Sequence, residues 1–388
     1  MSALSAFKVL ELAESVSGEY CGKLLADFGA EVIKLEKPSS GSPTRRLGPF
    51  ANKGVEGERS GLFAYLNTNK RSVTLDFSSA TGADTLRKLL DRVDVVIDDH
   101  SPGWLASIGL DPQGVEKARP DLVLCSITAY GQSPPEDRRY AEDLNIFHMS
   151  GWGYHTPSAA DEKSPPLKGP GRFLASYEAG LDAAMCIVAA LYDRESSRLG
   201  RFIDISKQAV LASRADYVLA QMVAGDMDTS MRRGAFDLRG PARIFQCRDG
   251  YIYIWMSTTG HWDGLRRMLG DPSWMKEFPE GWLERACTPE RVAICREHLT
   301  EWLKTQDKEP AAEAAQKVGL IAAAVNDVRD VYASLQYAHR GFFAEVDHPG
   351  IGPARYPTVP YRLSATPARI HSAAPSVGQH TAEHLARE

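Results

Sequence analysis

The chain has 388 residues, 43% of them hydrophobic and 24% charged, with a formal net charge of −5. At roughly 150 residues per domain it is long enough for two cores, and its acidic balance gives no electrostatic case for nucleic acid or an anionic membrane as a partner. No apolar run approaches the ~18 residues that span a bilayer and the N-terminus lacks the layout of a signal peptide, so a cytoplasmic protein with no membrane partner is expected.

Strand-like and helix-like segments alternate from the start: strand over 8–12, helix over 20–29, strands over 31–36 and 72–76, helix over 82–92, and strands over 94–98 and 121–128. Such alternation predicts a parallel sheet covered by helices, a Rossmann-like α/β domain. Leu174 to Tyr192 reads as a long helix whose small residues Ala179, Gly180, Ala183 and Ala184 admit a close neighbour. Phe202 to Ile205 reads as a further strand, followed by another long helix that runs toward Ala224. Near Asp226 the composition turns rich in Arg and Gly, and RIFQCRDGYIYIWMS around Asp249-Gly250 has the pattern of a β-hairpin. Helices separated by Gly and Pro follow, so a smaller α+β domain is expected over 225–330 after a large-domain portion over 1–224. The segment 331–388 is rich in Pro, Gly and His and too long for a simple linker.

Cys21, Cys125, Cys186, Cys247, Cys287 and Cys295 show no CxxC or metal-finger spacing, which predicts reduced and mostly buried thiols. None of the ten histidines has zinc-ligand spacing such as HExxH, so no metal is expected.

Four stretches carry a resemblance. Lys8 to Lys37 reads KVLELAESVSGEYCGKLLADFGAEVIKLEK; Asn67-Thr68-Asn69-Lys70-Arg71-Ser72 leads into Val73-Thr74-Leu75-Asp76; Asp94-Val95-Val96-Ile97 leads into Asp98-Asp99-His100-Ser101-Pro102-Gly103; and Thr366-Pro367, Ala374-Pro375 and Gly378-Gln379-His380-Thr381 close the chain. In this order they resemble CoA-transferase family III, the formyl-CoA, carnitine and bile-acid CoA-transferase family, over nearly the whole length. The resemblance implies that residues 331–388 return to complete the large domain, and that two chains interlock as rings in a dimer. It also implies coenzyme A or an acyl-CoA as substrate, with no tightly bound cofactor.

CoA carries a pyrophosphate and a 3′-phosphate, so its site needs cations and helix N-termini. Lys37, Arg45, Lys70 and Arg71 all lie near strand ends of the α/β domain, where ligands of open sheets bind, although solvated surface charge explains the same pattern. By resemblance, Val16, Ser17, Lys37, Leu75, Ser78, Asp99, His100 and Ser101 also line the CoA site. Asp99 stands where many family members have asparagine, and Ser107 where many have a phosphate-binding arginine.

The catalytic position departs most from the family, whose aspartate opens a helix as D-x-x-[SA]-G and forms acyl anhydride and CoA thioester intermediates. Here the segment reads Leu174-Ala175-Ser176-Tyr177-Glu178-Ala179-Gly180, with Ser176 in the aspartate's place. A hydroxyl cannot form an anhydride, and a helix N-cap is the stronger reading of a serine there. Asp143, in a stretch similar to the family's acidic segment near the thioester, is the alternative carboxylate, although an aspartate is common at a helix start. Glu178, two residues along the helix from Ser176, points elsewhere. Racemase members of the family use a histidine, an aspartate and a glutamate at positions held here by Glu142, Ser176 and Thr258-Thr259, which argues against that activity.

The leading expectation is a CoA-transferase that moves CoA from a donor such as succinyl-CoA to an aromatic or dicarboxylic acid. It would be the nucleophile-lacking subunit of a heterodimer or heterotetramer, similar to the succinyl-CoA:benzylsuccinate type, active with a homologous partner. The alternatives are a self-sufficient transferase or lyase using Asp143, as a homodimer, and a non-catalytic CoA-binding protein. Trp152, Tyr154, Trp255 and Trp262 are candidates for an acceptor pocket, with burial in a core as the plainer reading.

Overall fold

Strands in which every residue is apolar or paired can be buried on both faces, and the first half of this chain builds its sheet that way. The computed structural model describes residues 2–77, 79–135, 140–155, 171–225 and 240–385. Contacts divide it into two units: Met1–Gly153, Leu167–Asp226 and His339–Glu388 form the first, and Tyr154–Pro166 with Met227–Ala338 the second.

The first unit runs β1 (Lys8–Glu11), α1 (Val16–Asp27), β2 (Glu31–Glu36), α2 (Gly61–Leu66), β3 (Lys70–Thr74), α3 (Ala80–Leu90), β4 (Val95–Asp98), α4 (Trp104–Ser107), α5 (Pro112–Ala118) and β5 (Val123–Thr128). It continues through α6 (Asp143–Met149), α7 (Trp152–His155), α8 (Leu174–Ser197), β6 (Phe202–Ser206), α9 (Lys207–Ala212) and α10 (Asp216–Ala224). Six strands pair in parallel in the order β3-β2-β1-β4-β5-β6. This is the doubly wound order, and the strand sequence reverses between β1 and β4.

Side chains alternate across the sheet with period two. Val9, Val32, Val95, Ile97, Val123 and Cys125 pack into one core with residues of α1 and α8. Their neighbours Leu10, Ile33, Val96 and Leu124 join the core on the other face, with Leu86 and Leu89 of α3 and Leu105 of α4. Helix α8 is long and apolar enough by composition to cross a membrane, yet half of that stretch is buried, against α1 and β5 among others. Gly180 permits the close approach to α1, since a β-carbon there would lie 2.5 Å from the Ser17 carbonyl oxygen. The single long helix expected after β6 is instead two, broken at Ser213–Ala215, where Arg214 pairs with Glu178 and Asp182 of α8.

From His339 the C-terminal segment belongs to the first unit, while residues 331–338, expected with it, group with the second. Its hairpin, β10 (Phe343–His348) with β11 (Gly352–Pro357), precedes a stretch bound along β3. Asn69, held at φ 65°, accepts from the His371 and Ser372 amides and donates to the Arg369 carbonyl. Asn tolerates that left-handed conformation better than most residues. Farther along, the Gly378 amide donates to Ser72 Oγ, and the Thr74 amide donates to Thr381 Oγ1.

The second unit contains the expected hairpin, β7 (Arg243–Gln246) and β8 (Tyr251–Trp255), extended antiparallel by β9 (Ile321–Val325). Helices α11 (Thr259–Leu269), α12 (Trp282–Arg285), α13 (Pro289–Leu303) and α14 (Lys308–Lys317) supply its core with Trp262, Trp282, Leu299 and Ala315.

Candidate active site

A cavity of about 370 Å³ opens at the carboxyl ends of the sheet of the first unit. The turns after β1, β4, β5 and β6 supply Glu14 to Val16, Asp99 to Pro102, Thr128-Ala129 and Lys207, and Asp143 and Ser176 come from the first turns of α6 and α8. This is the crevice that a doubly wound sheet offers to ligands, spanning the β1/β4 reversal.

Asp143 opens α6, where Glu142 forms a capping box with Asn145. Its carboxylate reaches across to α8. Ser176 is the third residue of that helix and not its N-cap, which is Phe173. A backbone N–H so close to a helix start has no partner within the helix, and here the Ser176 amide donates to Asp143 Oδ1 at 2.7 Å. The Ser176 hydroxyl donates to Asp143 Oδ2, also at 2.7 Å, and accepts from Lys207 Nζ at 3.1 Å. The polarity of this chain is fixed, because an ammonium can only donate and an ionised carboxylate can only accept. Ser176, 2% exposed, therefore has its proton committed to Asp143 and beside it a cation that cannot take that proton. It is built as a link between Lys207 and Asp143 and not as an activated nucleophile. The α8 N-terminus adds a favourable dipole for the Asp143 charge.

Asp99 is a second carboxylate with a structural task. It accepts from the amides of Glu14, Ser15 and Gly18 and from the hydroxyls of Ser15 and Ser17, and so caps α1 from outside. Burial opposes its charge, but Lys207, Ser15 and His100 outweigh it and hold its pKa below the usual aspartate value. His100 stacks on Trp104 with ring centroids 3.5 Å apart, donates from Nδ1 to Asp98 Oδ1 at 2.8 Å and has Nε2 3.4 Å from Glu14 Oε2. Burial disfavours the imidazolium, yet the Asp98 and Glu14 carboxylates raise its pKa to about 9. At neutral pH the cavity thus presents charged His100, with Lys207 and Arg172 as further cations. Both His100 nitrogens already face carboxylates, so Lys207 and Arg172 are the cations available to a phosphate or carboxylate. Among the described residues no group of three or more His, Cys, Asp and Glu side chains is placed to hold a metal ion.

Of the residues singled out from sequence, Val16, Asp99, His100, Ser101, Asp143 and Ser176 line this one cavity. Ser17 is buried beneath it, bonded to Asp99. Lys37 is exposed and pairs with Glu14, itself a lining residue. The other cations have internal partners. Lys70 is 2% exposed and binds Glu11 at 2.8 Å, the Glu19 carbonyl and Asn67. Arg45, 3% exposed, forks onto Glu36 at 2.8 and 2.7 Å and lies over the Phe63 ring. Arg71 pairs with Glu383 of the C-terminal segment, and Leu75 is core. Ser78 lies outside the described residues.

Trp152 donates to the Leu211 carbonyl and packs near Ile146 and Ala175, while Trp262 is buried among Trp274, Phe278 and Trp282. Trp255 is half-buried in β8, and the Tyr154 side chain lies outside what is described. The aromatic residues that do line the cavity are Tyr140 and Phe173. Sequence reading missed Glu14, Thr44, Arg172 and Lys207. The available signal for Lys207 was its place directly after the FIDIS strand, at the carboxyl edge of the sheet.

The family model for CoA-transferase family III matches residues 4–381. The succinyl-CoA:glutarate CoA-transferase of Mus musculus is 27% identical over 100% of this chain and 86% of its own length. The succinate--glutarate CoA-transferase of Agrobacterium fabrum is 28% identical over 99% and 95%, and the formyl-CoA:oxalate CoA-transferase of Bradyrhizobium diazoefficiens 28% over 99% and 92%. Among solved structures, a CAIB/BAIF family protein from Brucella suis superposes with a TM-score of 0.84 at 30% identity, covering 99% of both chains. The chain belongs to CoA-transferase family III.

Proposed function

We propose that this protein transfers CoA from an acyl-CoA to a carboxylic acid with Asp143 as the carboxylate that carries the acyl and CoA groups. The observation that supports this reading is the pair of 2.7 Å hydrogen bonds from Ser176 to Asp143, which hold an acidic side chain in the cavity beside the position where the family keeps its aspartate. The relatives' names supply the substrate class by analogy: succinyl-CoA or formyl-CoA as donor, and glutarate, oxalate or mesaconate as acid.

The chemistry balances on one side chain. An Asp143 oxygen attacks the thioester carbonyl, the C–S bond breaks, and CoA leaves as a thiolate, with Asp143 and the acyl group now joined as a mixed anhydride. The thiolate then attacks the Asp143 carbonyl, forming the Asp143–CoA thioester and releasing the donor acid as a carboxylate. The acceptor carboxylate then attacks the Asp143 thioester carbonyl and expels the CoA thiolate, forming a second mixed anhydride; the thiolate attacks the acceptor's carbonyl in that anhydride, forming the acceptor–CoA thioester as the C–O bond to Asp143 breaks. Asp143 ends as the free carboxylate. The Ser176 amide and hydroxyl hold that carboxylate in one orientation between turnovers.

A second reading, the nucleophile-lacking subunit of a heteromer, is favoured by a different observation. Leu181, Met185, Val188 and Tyr192 of α8 are exposed at spacings of four, three and four residues, and so form an apolar stripe on one helix face. A homologous chain that covers this stripe could bring its own aspartate. The purified chain, incubated with succinyl-CoA and then digested, separates the readings: a peptide containing Asp143 with the added mass of CoA supports the first. Turnover that requires a copurifying homologue, with no such adduct, would replace it with the second.

A further inference from the structure

Lys207 is the first residue of α9 and enters the cavity directly from the carboxyl end of β6, where the Ser206 hydroxyl accepts from the Ala209 amide to fix the turn. Its ammonium has three N–H donors. Among the described residues it makes one hydrogen bond, to Ser176 Oγ, and no carboxylate lies within ion-pair distance of it. Asp99, whose charge it helps to stabilise, is already satisfied by amides and hydroxyls and does not need it as a contact. Half-buried and with spare donors, Lys207 is one hydroxyl away from the carboxylate proposed to carry CoA.

A cation placed there has a specific use. Each half of the transfer brings a second carboxylate, the departing donor acid or the incoming acceptor, up to the Asp143 carbonyl carbon. Once Asp143 is esterified to CoA its own negative charge is gone, so Lys207 becomes the uncompensated charge of the local group and attracts an anion most strongly at the step that needs one.

We propose that Lys207 is the carboxylate-binding residue of the acid subsite, pairing with the substrate carboxylate that attacks or leaves the Asp143 carbonyl. The assignment rests on the Asp143 reading and deepens it. It makes the acid substrate, and not the acyl-CoA, the partner whose affinity depends on this side chain.

The test uses the full-length protein as purified, with succinyl-CoA as donor and glutarate as acceptor. In Lys207→Met the KM for glutarate rises at least tenfold, about 1.4 kcal/mol of lost binding, while the KM for succinyl-CoA stays within threefold; Lys207→Arg recovers most of the loss. An unchanged glutarate KM in both variants, with the CoA adduct still forming on Asp143, overturns the role of Lys207 and leaves the Asp143 reading standing. Equal increases in both KM values that Lys207→Arg does not repair also overturn it, by showing that Lys207 only holds the site together. Absence of an Asp143–CoA adduct in the unaltered protein removes the carboxylate reading itself, and this assignment with it.

Discussion

Asp143 and Ser176, 33 residues apart in sequence, meet through two hydrogen bonds of 2.7 Å, one from the amide and one from the hydroxyl of the serine. Ser176 therefore serves a carboxylate supplied by another helix. Asp143→Asn is expected to lower turnover by at least a thousandfold with little change in CoA affinity, because an amide cannot form the anhydride. Ser176→Ala removes one of the two bonds and should cost roughly tenfold, in line with about 1 to 1.5 kcal/mol for such a bond. Ser176→Asp sets two carboxylates side by side, which disfavours ionisation of both, so its activity should also fall. An increase in activity of the isolated Ser176→Asp protein would instead indicate that the chain had lacked its nucleophile.

Lys70 gives a prediction about stability. Its ammonium is buried with Glu11, and burial pushes the Glu11 carboxyl up and the Lys70 ammonium down. Breaking a buried pair typically costs about 3 to 5 kcal/mol; Glu11 keeps Lys34 at 3.1 Å as a second cation, so a cost toward the lower end is expected. Lys70→Met should therefore unfold at clearly lower denaturant concentration, and any folded fraction should keep the KM for acyl-CoA. A stable Lys70→Met protein with weakened CoA binding would return Lys70 to the ligand.

Asp99 closes the N-terminus of α1 through five groups that donate to its carboxylate. Asp99→Ala is expected to cost about 2 kcal/mol, the upper end of capping effects, measurable by chemical denaturation. Since Ser15 and Val16 also line the cavity, the KM for acyl-CoA should rise in the same variant. Because the folded-state pKa of Asp99 is lowered, its contribution is present above the unfolded value and lost as pH falls through the folded one.

His100 acts in the opposite direction. Its pKa is raised to about 9, against roughly 6.5 in the unfolded chain. The stability it adds is complete below about pH 6.5 and disappears as pH rises to about 9. Unfolding free energy measured between these limits should decline by roughly 1 to 3 kcal/mol more in the unaltered protein than in His100→Gln. Parallel pH curves for the two proteins would show that the Asp98 and Glu14 carboxylates do not hold His100 charged.

The amino-acid sequence by itself determined the α/β character of the first half, because Val9 and Leu10, Val32 and Ile33, and Val95 and Val96 present apolar side chains to both faces in turn, which only a sheet covered on both sides can bury. It also marked the turns after β1 and β4, the hairpin at Asp249-Gly250, and Asp143 and Ser176 as separate points of interest. Tertiary structure alone decided how the charges are used. Lys70, Arg45 and Lys207 look alike in sequence, each a cation next to a strand or short helix, yet two are enclosed with carboxylates and one enters the cavity. The difference lies in which side chains the packing brings within a few ångströms. Burial and Coulomb energy depend on those distances, and residues 33 or 31 positions apart in the chain, as Asp143 and Lys207 are from Ser176, carry no local signal of their meeting.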